Sequence, residues 1–263
     1  MTIIQAIILG LVQGLTEFLP ISSSAHLGII PAIFKWQEQS IGFDIYLHAA
    51  SLIALVLFFK KDIRGLLGAI IGKKSEFSSA NSRKFGLAIF ISLLPLIPAY
   101  LLLHNFIDSI QTFSILTPYL LIIFAIVLII ADRVGEKGKL NIFEVSKLKA
   151  ILIGIAQCIA FFSGVSRSGI TISTGLFLGL KIEEAKKYTF LLAIPTIAGG
   201  FLMELISTKS LVFSIPLLAG FIAAFLSSYL ALILLFKYGS KLKLSYYGYY
   251  RIILGIILLI FLF

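Results

Sequence analysis

The chain has 263 residues, of which 59% are hydrophobic and only 13% charged, and its mean hydropathy is +1.07. A water-soluble domain of this length cannot hide that much apolar surface, so the bilayer must be its solvent, and no polar block is long enough to fold as a separate soluble domain. The net charge of +10 does not point to nucleic acid, because the basic residues lie in short segments between apolar runs rather than on one amphipathic face. Cys158 is the single cysteine, which rules out an intrachain disulfide and a cysteine-rich metal site.

The first apolar run, residues 2–17, has no basic residue before it, which argues against a cleaved signal peptide and predicts a helix retained in the mature protein. Sixteen helical residues rise about 24 Å, short of a hydrocarbon core about 30 Å thick. The run passes into a polar, serine-rich stretch and then a second short apolar piece, 25–34. Next come a full span at 43–59, a short interfacial helix at 63–72, and spans at 86–104 and 115–132. The pattern of two short pieces then recurs at 150–162 and 170–180. Spans at 187–206, 211–236 and 246–263 complete the chain. Pro95, Pro98, Pro195 and Pro216 fall within spans, where neighbouring helices satisfy the backbone groups that proline frees.

The two interrupted regions match each other. A shift of 144 residues lays Gly10 on Gly154, Gln13 on Gln157, Phe18 on Phe162, Ser22 on Ser166 and Ser24 on Ser168, and span 43–59 on span 187–206. Assigning 60–84, 133–149, 181–187 and 237–243 to the cytoplasm collects 18 of the 22 Lys and Arg residues there. Lys35, Lys209 and Arg251 fall on the other side, and Arg167 lies within a motif. That assignment requires both hairpins to return to the side they entered from, with three spans between them, so the repeat is inverted. The expected fold is a single integral membrane domain, all-α and polytopic. It is an inverted-topology repeat with halves near 1–132 and 145–263, two re-entrant helical hairpins meeting tip to tip, about six full transmembrane spans, and both termini extracytoplasmic.

The tips carry the chemistry. The first runs from Gln13 through Thr16, Glu17, Pro20, Ser22, Ser23 and Ser24 to His26, and the second from Ser163 through Ser166, Arg167 and Ser168 to Thr171. Ionisable groups at membrane depth are costly and are functional hypotheses by default. Glu17 suits either an ion pair with Arg167 or a hard divalent cation, Mg²⁺ or Ca²⁺. Gln13, one helical turn earlier, presents an amide oxygen on the same face. Arg167 offers a planar fork for phosphate at the start of a helix, and its alternative is a structural pair with Glu17. Ser23 is placed either as nucleophile or as a phosphate hydrogen-bonder, and His26 shares the tip as a candidate proton carrier. Ser22, Ser24, Ser166, Ser168 and Thr171 are candidates for substrate contacts. His48 and His104 lack such company and read as structural.

The stretch QGLTEFLPISSSAH resembles the first signature of the undecaprenyl-diphosphate phosphatases of the bacitracin-resistance type, and GVSRSGITIS resembles the second. FDIYLHAASLIALVLFF and EEAKKYTFLLAIPTIAGG are also similar to this family, so the resemblance covers nearly the whole chain. It implies hydrolysis of a C55 isoprenoid diphosphate to the monophosphate carrier and phosphate, in a fold of inverted repeats around re-entrant hairpins. Carried over by position, it places the metal-linked acidic pair on Gln13 and Glu17, the motif serine on Ser23, the histidine on His26 and the arginine on Arg167. Gln13 stands where some members have Glu, and Ser163 where many have Pro.

The rival class is a transporter of a lipid phosphate or another anion, since inverted repeats with broken helices suit alternating access. The vanadate-haloperoxidase-like lipid phosphatases are set aside, because they need a histidine downstream of the Ser-Arg motif and none occurs after His104. The expected partners are the polyprenyl diphosphate and the membrane, not nucleic acid. Small Ser, Ala and Gly residues on several spans suit a homodimer or internal packing equally.

Overall fold

Helix-capping chemistry sets the boundaries at the start of each interrupted region. Thr2 and Gln5 form a reciprocal capping box that opens α1 (Ile3–Phe18), and the Ser146 side chain caps α8 (Lys147–Cys158). The computed structural model describes residues 1–37, 39–71, 79–110, 115–207, 214–237 and 243–262, without the side chains of 41, 70, 79, 104–110, 204, 207 and 262. The reading of His104 therefore lies outside the described residues, as do Lys209 and the loop positions 72–78 and 238–242.

Between α1 and α8 run α2 (Ser23–Phe34), α3 (Ile41–Phe58), α4 (Lys60–Ile70), α5 (Ser79–Leu93), α6 (Leu96–Ile110) and α7 (Thr117–Gly135). After α8 come α9 (Arg167–Phe177), α10 (Ile182–Ser207), α11 (Ile215–Lys237) and α12 (Leu244–Leu262). The only β-bridge among the described residues is an isolated one between Leu140 and Leu180.

Four helical stretches among the described residues are long and apolar enough to cross a bilayer: 80–103, 117–135, 215–237 and 244–261. α3 and α4 make a fifth only as a pair, bent by 67°. α10 adds 26 residues, about 39 Å of helix, with Glu183, Glu184, Lys186 and Lys187 near its start. The expected count of about six spans is reached only with α10 and the bent pair included. The protein is an all-helical, multi-pass membrane protein.

The span expected at 86–104 lies within the stretch 80–103. A local turn between Leu93 and Leu96, where Pro95 removes a backbone donor, divides it into α5 and α6. The short helix expected near 63–72 is α4.

α1 shows how the site is positioned. Ile4, Ile7, Leu11 and Leu15 form its exposed apolar stripe, while Ala6, Leu9, Gly10, Gln13 and Glu17 are buried. The buried stripe packs on α11, so closely that a Cβ at Gly10 would collide with the Gly220 carbonyl oxygen. α8 packs on α5 in the same way, and a Cβ at Gly154 would collide with the Ser92 carbonyl oxygen. Gly10 and Gly154 are partners under the 144-residue shift, so each repeat seats its first hairpin helix through a glycine at the same place. Phe18 then anchors the end of α1, meeting Phe190 edge-on at 5.7 Å within a cluster that includes Phe59 and Phe236.

Candidate active site at the two hairpin tips

The two tips have one backbone design. Ser22 sits at φ 73° and ψ 94° before α2, and Ser166 at φ 70° and ψ 109° before α9. Positive φ is strained for a residue with a Cβ, and such strain persists only where the surroundings hold it. In each tip the serine lies 3.3 Å, hydroxyl to hydroxyl, from the serine two residues on: Ser22 to Ser24, and Ser166 to Ser168.

The tips also hold each other. The Gly164 backbone N–H donates to Ser22 Oγ at 3.1 Å, and Ser168 Oγ donates to the Leu19 carbonyl at 3.1 Å. Glu17 and Arg167 bridge the halves directly, with Nη2 donating to Oε1 at 2.6 Å.

The Glu17 carboxylate is the hub. Its second oxygen, Oε2, accepts from Ser23 Oγ at 2.7 Å and from Gln13 Nε2 at 3.1 Å. Glu17 and Gln13 are buried, whereas Ser23 and Arg167 are only half-buried and Ser24 is exposed. The hydroxyl and the guanidinium thus stand at the accessible side of a carboxylate buried behind them. Arg167 spends one of its five N–H donors on Glu17, and no other side-chain hydrogen bond of its guanidinium occurs among the described residues.

The other expected site residues fall into two groups. Ser22, Ser166, Ser168 and Thr171 face inward and serve the tips: Ser166 Oγ caps α9 by accepting from the Gly169 N–H, and Thr171 Oγ1 donates to the Arg167 carbonyl at 2.7 Å. His26 is not joined to the Glu17 cluster by a hydrogen bond. Its Nδ1 donates to the Ser22 carbonyl at 2.7 Å, since a carbonyl only accepts. In the neutral ring Nε2 is therefore the acceptor of the Tyr250 hydroxyl, also at 2.7 Å.

Three residues that pack against the tips were not among the candidates expected from sequence. Arg251 counted there only as a charge on the non-cytoplasmic side, within the span 246–263, yet in α12 none of its surface is exposed. It donates to the Gly164 and Val165 carbonyls at 2.7 and 3.0 Å and to the Pro20 carbonyl at 3.3 Å, tying both tips to one helix. Its neighbour Tyr250 holds His26. The available signal was a lone arginine inside an apolar run, which is costly without partners. The third is His48, whose Nε2 lies 3.7 Å from Glu17 Oε2. His48 read as structural because the sequence could not place α3 beside α1.

Arg251→Leu removes three charge-assisted bonds and strands three buried carbonyls. The expected loss of stability is about 3 kcal/mol or more, read as a lower thermal midpoint in detergent. An unchanged midpoint would mean that Arg251 does not hold the tips.

For a divalent cation, the relevant donors are the Glu17 carboxylate and Gln13 Oε1, which is buried and has no hydrogen-bond partner. Among the described residues no group of three or more His, Cys, Asp and Glu has metal-binding geometry. A cation shared with substrate phosphates needs only one or two protein carboxylates, so this small donor set fits one.

The family model for the bacitracin resistance protein BacA matches residues 6–257. The chain is 40% identical to an undecaprenyl-diphosphatase of Treponema denticola, covering 97% of this chain and 96% of the relative. It is 38% identical to the Geobacter sulfurreducens enzyme of that name, over 100% and 99%, and 35% identical to that of Methanococcus maripaludis, over 98% and 100%. Fold, tips and sequence similarity lead to one conclusion: the chain belongs to the BacA bacitracin resistance family.

Proposed function

We propose that this protein is an undecaprenyl-diphosphatase of the cell membrane. It hydrolyses undecaprenyl diphosphate to the monophosphate and inorganic phosphate, which recycles the lipid carrier for surface-glycan synthesis and gives bacitracin resistance. The observation that carries this reading is the Ser23–Glu17–Arg167 cluster: a hydroxyl 2.7 Å from a buried carboxylate, with a guanidinium 2.6 Å from the other oxygen of the same group.

Each residue has a definite task. Glu17 accepts the Ser23 proton as Oγ attacks the terminal phosphorus. The bond from that phosphorus to the bridging oxygen breaks, and the isoprenoid monophosphate leaves. Water then hydrolyses the phosphoserine and releases phosphate. Arg167 stabilises the negative charge that spreads over the phosphoryl oxygens. Ser22 makes no side-chain cap to α2, so among the described residues the first N–H groups of that helix, around Ser23 and Ser24, have no cap and can serve the same oxygens. A divalent cation, Mg²⁺ or Ca²⁺, held by Glu17 and Gln13, would supply further charge neutralisation at the diphosphate. Ser24, beside the free N–H groups, contacts the substrate. Ser166, Ser168 and Thr171 shape the tip around Arg167, and His26 orients Tyr250.

Nothing in the site favours the transporter alternative, which has no need of a serine aimed at a buried carboxylate. Purified protein in detergent micelles, with no gradient, is expected to release phosphate from undecaprenyl diphosphate. No release under these conditions would exclude the phosphatase.

The charge distribution also supports extracytoplasmic termini. A cysteine near position 108 is expected to label from outside in intact cells, and one near Lys139 only after permeabilisation. The reverse pattern would overturn the topology.

A further inference from the structure

Away from the hairpin tips, the first turns of α5 and the start of α8 frame a cavity of about 210 Å³. Lys84, Leu87 and Ala88 line it from α5, Val145 and Ser146 from the segment before α8, and Lys147 from the first position of α8. Ala88 and Val145 are buried and give it an apolar floor. Leu87 is exposed and makes an apolar wall, and both lysines are exposed. Lys84 stands within the first turns of the apolar stretch 80–103, so the cavity lies where the bilayer meets water.

A general excess of lysines at this end follows from charge bias alone, but their arrangement at the cavity does not. Other lysines nearby have protein partners: Lys187 pairs with Asp62, Lys186 with Glu183, and Lys149 donates to the Leu178 carbonyl at 2.9 Å. The Lys84 and Lys147 ammonium groups have neither an ion pair nor a hydrogen bond among the described residues. The carboxylate beside the cavity in sequence, Glu144, is turned to the Asn141 N–H at 2.8 Å. The first turn of α8 carries no acidic residue, so the positive end of that helix adds to the two lysines. Two unpaired cations above an apolar floor complement a molecule with an anionic head and an apolar body. A free anion would have no use for the floor.

We propose that this cavity holds one anionic phospholipid, its phosphodiester head between Lys84 and Lys147 and its chains along Leu87. The lipid would join α5 to α8 at the end of the contact that Gly154 and Ser92 close more deeply. It would thereby steady the helix that leads to the Arg167 tip.

The probe is phosphatidylglycerol, set against phosphatidylcholine with the same acyl chains. Both are added to the detergent-solubilised full chain, and bound lipid is counted by native mass spectrometry. Wild type is expected to retain one phosphatidylglycerol in preference to phosphatidylcholine and to gain thermal stability from it. The double change Lys84→Gln with Lys147→Gln should weaken that binding on the order of tenfold or more and remove the stabilisation. The double change Lys60→Gln with Lys61→Gln takes the same charge from exposed positions outside the cavity and should leave both intact. Equal retention of the two lipids by wild type overturns the proposal. So does an equal loss of phosphatidylglycerol in the two double variants, which would reduce the effect to overall charge. Displacement of the lipid by millimolar glycerol phosphate would show that the head alone is recognised, and would overturn the lipid as occupant.

Discussion

Glu17→Gln is expected to lower phosphate release about a thousandfold while the protein still inserts and purifies. The substitution is nearly isosteric. Its amide oxygen can still accept from Arg167 Nη2, which now lies 2.6 Å from Oε1. What disappears is the charge. Without it, Ser23 loses the base that now accepts its hydroxyl at 2.7 Å, and any cation loses its one carboxylate. Loss of a general base or of a cation clamp each costs a factor of about a hundred to a thousand, so a combined loss of about 4 kcal/mol is a moderate expectation. The check is phosphate release by purified variant and wild type at matched concentration. Activity within tenfold of wild type would move the base elsewhere.

Arg167→Lys is the second large effect, and here two roles of one residue separate. The guanidinium pairs with Glu17, which is the structural role. Its remaining N–H groups make no side-chain hydrogen bond among the described residues, which is what phosphate binding requires. Lysine keeps the positive charge and can still neutralise Glu17, but it loses the planar fork that grips phosphate oxygens in pairs. Thermal stability should hardly change, while turnover should fall about a hundredfold, roughly 3 kcal/mol of transition-state stabilisation. A stable, nearly fully active Arg167→Lys protein would leave Arg167 with the ion pair alone.

The sequence exposes the tips well because both are breaks in apolar patterning. Serines and charges interrupting a helix too short to cross a bilayer are visible in one dimension, and the 144-residue shift links them. Ser22 and Ser166, paired by that shift, share an unusual backbone conformation. What the sequence hides is the third dimension. Arg251 and Tyr250 are far from either tip along the chain, and only the packing of α12 brings them to Pro20, Gly164 and His26. His48 is hidden for the same reason. Hydropathy identifies its span but not the face that α3 turns to α1. The same limit applies to His26, whose nearness to Glu17 in sequence does not show that its ring also bonds Tyr250 on α12.

In the proposed mechanism Glu17 and Arg167 form catalytic machinery and not merely a buried tie between repeats. Four proteins test it together: wild type, Glu17→Gln, Arg167→Gln and the double variant, each measured for thermal stability and phosphate release. Removing one partner of a buried pair leaves the other charge uncompensated, and removing both relieves that cost. The double variant is expected to recover the stability lost in the single variants yet remain as inactive as they are. Recovery of phosphate release together with stability would contradict it.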